Sequence, residues 1–302
     1  LHLSLRRQRQ MCIRDRRNVV TAPEHIVVGA GVQMLLEILC VLLKGRRTVS
    51  FPDGSFVQGS TVFAAHGYTV RTRYKDADII YVSPSHMNRQ GDVMPIQRRL
   101  ELCAHSADTG AVVIEDDFEN DFLYSSTPTP SLYALGSGNV VYMGAFSALL
   151  LPGIRISFMV LSPALAAAYH QMKDTFAQTA SKTEQIALCA YLRDGNMKSR
   201  TKKIRRLYTG KAKTLCTLLA KALPDHPVRV GENGLQVQIE TPMLPDSAPF
   251  EQAGLALYIV KEKSGKNIVV VSPSAVPADR LEEAAHAVAA ALYKAEEAAK
   301  AK

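Results

Sequence analysis

Short apolar runs recur through the first half of the chain. Each closes on Gly, Pro, Ser or an acid, and most lead into apolar residues at helical spacing. Ile26–Val28 is the first predicted strand, followed by a turn at Gly29–Gly31 and a helix from Met34 to Leu43. "RTVSF" predicts a strand that ends in a turn at Pro52–Gly54. A helix near Val57–His66 stops at Gly67, and a strand follows over Tyr68–Thr72. "ADIIYVSPSH" reads as a buried strand halted by Pro84, and "PIQRRLELCAHSA" as an amphipathic helix. "GAVVIEDDF" is a buried strand running into three acids, and "NVVYMGAFS" and "IRISFMVLS" are two more strands. This alternation predicts an α/β sheet covered by helices on both faces. In such sheets ligands gather at the carboxyl ends of the strands. Those ends here carry Gly29-Ala30-Gly31, Ser83–His86, Glu115–Asp117 and Gly144–Ser147.

Beyond Pro163 the period changes. Pro163–Leu192 is helical throughout and predicts one long connecting helix. "SRTKKIRRLYTGKAKTLCTLLAKAL" predicts a second long amphipathic helix with a basic outer face. Strands are expected near Val228–Val230, Leu235–Ile239, Leu255–Ile259 and Ile268–Val271, then a final helix from Ala278. The pattern therefore divides into a large domain over 17–194 and a smaller α+β domain over 195–302.

The net charge of +8 over 302 residues first suggests a polyanionic partner. Its location changes that picture. Residues 1–16, LHLSLRRQRQMCIRDR, hold five Arg and one Asp and so contribute four of the eight charges. This segment has neither period nor the apolar core of a signal peptide. Its "MCIRDR" ending resembles translated sequencing-adapter DNA. The expectation is a non-native segment on a chain whose natural start lies upstream; a basic arm is the alternative. Cys12, Cys40, Cys103, Cys189 and Cys216 are scattered singly, which fits free thiols in a reducing cytoplasm. No apolar run reaches the roughly 20 residues that span a bilayer.

Three features could carry chemistry. Gly29-Ala30-Gly31-Val32-Gln33 stands where a strand turns into a helix, so free N–H groups and the helix dipole can hold a phosphate. A tight turn without a ligand reads equally well, and no P-loop Lys follows. Glu115-Asp116-Asp117 ends an apolar strand, so its carboxylates need partners. It is a helix cap or surface loop, or it keeps a heterocyclic nitrogen protonated; no His or Cys stands at metal-ligand spacing. Ser147 and Arg155 bracket the turn in "GAFSALLLPGIRISFMVL", and Arg suits bidentate recognition of an anion. His86 is a ring contact or a structural residue. A nucleophile-elbow hydrolase is excluded, because Gly144-x-x-Ser147 is not G-x-S-x-G.

Taken together, the order GAGxQ, SPSH, EDDFENDF, PSLYAL and YMGAFS(A)LLLPGIRISFMVL resembles the aminotransferase-like domain of MocR/GabR-type regulators, within the fold type I pyridoxal-phosphate (PLP) family. The resemblance implies a three-layer α/β/α large domain with a smaller α+β domain, and a homodimer. It implies that Ala30, Gly31 and Val32 with Ser147 and Arg155 cradle the cofactor phosphate, that Asp116 pairs with the pyridinium nitrogen, and that His86 and Phe118 border the ring.

The departures from the family bear on activity. Where the family reads GTFSK, with the Lys that forms the Schiff base, this chain has Ala148. Phe118 stands for the Tyr of EDDY, Gly54 for the Tyr of EDPGY, and Arg89 for the Pro after PSHQ. The resemblance thus implies a PLP-binding domain with no catalytic residue and no metal, whose cofactor is noncovalent if bound at all. A small amine or amino acid is its expected ligand. The alternative is an active aminotransferase acting on a small amino acid. Operator binding is not expected of this chain alone, since residues 1–25 hold no recognition helix; neither is membrane attachment, and the expected location is the cytoplasm.

Overall fold

The computed structural model describes residues 19–88, 90–117, 130–136, 138–147, 149–176, 179–261 and 265–300. The described chain forms two compact units. One comprises Val19–Met87, Met94–Asp117 and the stretch from Pro130 to Arg200; the other comprises Asn88–Val93 and Thr201–Lys300.

The first unit is built on a seven-stranded sheet. Its elements in chain order are β1 (Ile26–Gly29), α1 (Val32–Leu42), β2 (Thr48–Phe51), α2 (Val57–Ala65), β3 (Thr69–Thr72), β4 (Ile79–Val82), α3 (Ile96–Thr109), β5 (Val112–Asp116), α4 (Leu132–Leu135), β6 (Val140–Ala145), β7 (Ser157–Val160), α5 (Pro163–Gln171) and α6 (Lys182–Arg193). The strand order is β1-β7-β6-β5-β4-β2-β3, and only β7 runs antiparallel to its neighbours. The carboxyl ends of β1, β2, β4, β5 and β6 therefore share one edge with the start of β7.

Residue alternation covers both faces of this sheet. Ile79, Tyr81, Ile114, Val141 and Met143 pack with Leu35, Leu39 and Phe63 in one core. Val113 and Val140 pack on the other face with Cys103 and Leu132, joined by Ile80 and Val82. Two apolar faces per strand explain the unbroken hydrophobic runs in the sequence and yield the three-layer α/β/α arrangement. Cys40 and Cys103 are buried free thiols, and burial pushes Cys40 up to about 12, which leaves it unreactive.

The long helix expected beyond Pro163 is broken. Pro163–Leu192 is not a single helix: α5 ends at Gln171, a 3-10 turn spans Lys173–Thr175, and α6 starts at Lys182. The break is held by β1. The Ala30 N–H donates to the Thr179 carbonyl at 2.7 Å, and the Thr179 hydroxyl donates to the Val28 carbonyl. Helical pattern in "TASK" yields to these bonds because a buried strand end must have its polar groups paired.

The second unit contains α7 (Asn196–Ala222, entering it at Thr201), β8 (Val228–Val230), β9 (Val237–Thr241), α8 (Ala248–Gln252), β10 (Tyr258–Lys261), β11 (Asn267–Val271) and α9 (Leu281–Lys300). Its four strands are antiparallel in the order β10-β11-β9-β8. Leu215, Leu219, Ile239, Val269, Phe250 and Leu292 form its core. No helix of the described chain is long and apolar enough to cross a membrane.

Candidate cofactor-binding site

The carboxyl edge of the large sheet holds a cavity of about 200 Å³ walled by Gly31, Val32, Phe56, Ser147, Arg155 and Ser157, among others. Register explains the convergence: Ser157, opening β7, stands opposite Gly29 on one side and Ala145 on the other. The turn after β1 and the turn after β6 are thereby brought to the same place. A larger cavity of about 380 Å³, walled by Leu150, Ile154, Leu188 and Tyr191, is apolar and stands apart from these groups.

Gly31 is where backbone and site chemistry meet. It has φ +96°, a conformation that side chains disfavour, and it stands as N-cap of α1. Gly31 has no side chain to cap that helix, and its start, with the first N–H groups and the positive end of its dipole, borders the cavity. A Cβ built at Gly31 would fall 2.4 Å from Arg155 Nη2. The guanidinium thus lies directly against the glycine. Arg155 itself is left-handed at φ 46°, ψ 36°, which costs a non-glycine residue about 1–2 kcal/mol. Strain of this kind clusters where a side chain must be aimed.

Uncapped N–H groups, an arginine and a serine hydroxyl make a donor set that fits a phosphate monoester. Of the residues that the resemblance implies for a phosphate cradle, Gly31, Val32, Ser147 and Arg155 come together here. Ala30 does not supply a donor, because its N–H is already bonded to Thr179. Gln33, Phe56, Gln58, Ala145 and Ser157 complete the walls. Phe56 and Gln58 carry no signal in the sequence, because they open a helix whose exposed face looks ordinary.

The three acids divide between the two faces of the sheet. Glu115 turns toward α4, accepting the Tyr133 N–H at 3.1 Å. Asp117 accepts from the Tyr142 hydroxyl, and from Ser85 Oγ at 3.2 Å. Asp116 lies on the opposite face with Tyr81, whose hydroxyl donates to its carboxylate. Burial, reinforced by the adjacent Asp117 charge, raises Asp116 to about 6 against the hydrogen bond from Tyr81. It stays ionised at neutral pH and would pair with a protonated ring nitrogen. His86 belongs to the turn after β4, its N–H donating to Ser83 O at 3.1 Å, and does not line the 200 Å³ cavity. Phe118 and Ala148 lie outside the described residues.

Comparison with known proteins bears on the family and the fold. The family "Aminotransferase class I and II" matches residues 1–278. The HTH-type transcriptional regulator YdeL of Bacillus subtilis is 29% identical over 85% of this chain and 57% of its own length. YhdI of the same organism, also an HTH-type regulator, is 33% identical over 74% of this chain and 51% of its own. The chain therefore spans about half the length of the curated relatives it matches. An archaeal alanine:glyoxylate aminotransferase superposes with a TM-score of 0.80, covering 97% of this chain and 80% of that one at 20% identity. A seven-stranded sheet with β7 antiparallel among parallel strands, superposing on that aminotransferase, has the fold type I architecture, and this chain belongs to the aminotransferase class I and II family.

Proposed function

We propose that this chain is the effector-binding, aminotransferase-like part of a MocR/GabR-type regulator, which holds pyridoxal 5'-phosphate noncovalently and performs no transaminase turnover. The observation that carries the reading is the Arg155 guanidinium lying against Gly31 at the uncapped start of α1, beside Ser147. Val32 and its neighbours would offer N–H groups to the phosphate, while Arg155 supplies charge and a planar pair of donors. Asp116 would hold a proton on the ring nitrogen. The cofactor, when bound, supplies a ring that accepts electron density.

What the chain lacks decides the rest. A lysine at position 148 would be both the covalent anchor and the group that moves protons; the methyl group of Ala148 does neither. The site thus fits recognition of a cofactor together with a small amine or amino acid, in a cytoplasmic homodimer whose DNA-binding part lies elsewhere. The HTH-type regulators among the relatives support the regulator part of this reading.

Titration with PLP followed by absorbance, then borohydride treatment and intact-mass analysis, tests this directly. The expected result is saturable binding that dialysis removes with or without borohydride, and an Ala148→Lys variant in which borohydride fixes the cofactor. A fixed adduct on the unaltered chain would overturn the noncovalent reading. Failure of PLP to bind at all would overturn the cofactor assignment.

A further inference from the structure

We propose that Tyr81 is a positioning residue for Asp116: its hydroxyl keeps that carboxylate ionised and aimed toward a ring nitrogen, and Phe51 and Phe56 fix the phenol for this task. The inference rests on the cofactor reading above and assigns a role to residues outside the motifs that led to it.

Register sets the pair up. β4 and β5 are parallel neighbours with Tyr81 opposite Ile114, so Asp116 lies one same-face step further along the adjacent strand. The phenol therefore points along the sheet to the carboxylate at its edge. Phe51 stacks on the Tyr81 ring at 5.0 Å and 30°, and Phe56 stacks on it at 5.3 Å and 29°. Phe56 leans into this position only because residue 59 is glycine: a Cβ there would fall 2.2 Å from the Phe56 ring. Phe56 also walls the 200 Å³ cavity with Gly31 and Arg155. The aromatic stack thus runs from the anion cradle to the carboxylate.

A core residue at position 81 needs only the ring; the hydroxyl is explained by Asp116 alone among its described partners. Burial lifts Tyr81 well above its ordinary range, so it remains a donor at any working pH. The other groups near Asp116 are accounted for. Asp117 repels it but is tied to Tyr142 and Ser85, and Ser83 Oγ donates to the Asp116 backbone carbonyl at 3.0 Å. Tyr81 is the one side chain that donates to the Asp116 carboxylate among the described residues.

The test titrates Asp116 by carboxyl ¹³C NMR in the ligand-free full chain, unaltered and as Tyr81→Phe, Phe56→Leu and Tyr142→Phe. Tyr81→Phe is expected to raise the Asp116 midpoint by about one pH unit. Phe56→Leu keeps the hydroxyl but removes one stacking face, and is expected to raise it by less. Tyr142→Phe, which removes a hydroxyl bonded to Asp117 and not to Asp116, is expected to leave the Asp116 midpoint in place. In a parallel arm, PLP affinity should fall on acidification at a pH about one unit higher in Tyr81→Phe, with inorganic phosphate affinity unchanged. An Asp116 midpoint that Tyr81→Phe leaves in place overturns the proposal. If the unaltered chain fails to bind PLP, the cofactor reading falls, and the NMR arm still decides whether Tyr81 governs Asp116.

Discussion

Asp116 shows how a single residue can work against the fold that holds it. Its carboxyl titrates near 6, above the ordinary 3.8, because burial penalises the charge. A raised folded-state value means the proton binds more tightly in the folded chain. Stability from this group is therefore present below the unfolded value and lost as pH rises through about 6. At pH 8 the ionised group costs roughly 2–3 kcal/mol. Asp116→Asn is accordingly expected to stabilise the ligand-free chain at pH 8 by on the order of 2 kcal/mol, with the difference gone near pH 3. Urea unfolding at the two pH values checks this, and equal stability at pH 8 would contradict it. Retention of a destabilising carboxylate is understandable if a ligand pairs with it. The sequence showed an acid at a strand end; only the fold separates Asp116 from Glu115 and Asp117, which turn to the other face of the sheet.

At the scale of elements, α3 supplies an anchor that pattern reading passes over. Arg99 is fully buried in a helix that reads as an ordinary amphipathic one. Its guanidinium donates to the carbonyls of Met94 at 3.0 Å and Pro130 at 2.9 Å, and reaches the Pro84 carbonyl at 3.4 Å. These bonds pin the turn after β4 and the approach to α4, the two segments that flank the acids of β5. Arg99→Met keeps the aliphatic bulk but takes this donor from the Met94 and Pro130 carbonyls, an expected loss of about 3 kcal/mol. A fall in the urea midpoint with an unchanged slope would show it; a stability within 0.5 kcal/mol of the parent, the order typical of surface changes, would refute it. The α5–α6 break teaches the same lesson from the other side. Nothing in "FAQTASKTE" announces that Thr179 must serve the Val28 carbonyl in β1 and the Ala30 N–H just beyond it.

At the scale of the whole molecule, sequence order and compact units part company. Asn88–Val93 lies between β4 and α3 in the chain, yet packs within the second unit. Gln238 Nε2 donates to the Gln90 carbonyl at 2.9 Å, the Asn233 N–H to the Gly91 carbonyl at 3.2 Å, and the Val93 N–H to Glu232 at 2.8 Å. Gly91 has φ +77°, and a Cβ there would fall 2.2 Å from Asn233 Nδ2. Gly91→Ala is expected to destabilise the second unit by about 2 kcal/mol, combining a strained backbone with a displaced buried amide. Hydrogen exchange at Val237–Thr241 reads this out, and unchanged protection there would refute it.

The sequence by itself determined the class of the fold, the strand ends that could bear chemistry, and the family resemblance. Apolar runs covered on both faces and turns rich in Gly, Ser and acids are local properties, written one residue after another. It also determined that position 148 carries no amine. Tertiary structure alone decided which donors remain for a phosphate. It takes the Ala30 N–H for Thr179 and turns Arg155 onto Gly31. It alone decided that Tyr81 meets Asp116, and that Asn88–Val93 joins the second unit. Each of these depends on strand register or on a hydrogen bond between residues far apart in the chain. Such pairings are settled by competition among all buried polar groups for partners, and no local pattern records the outcome.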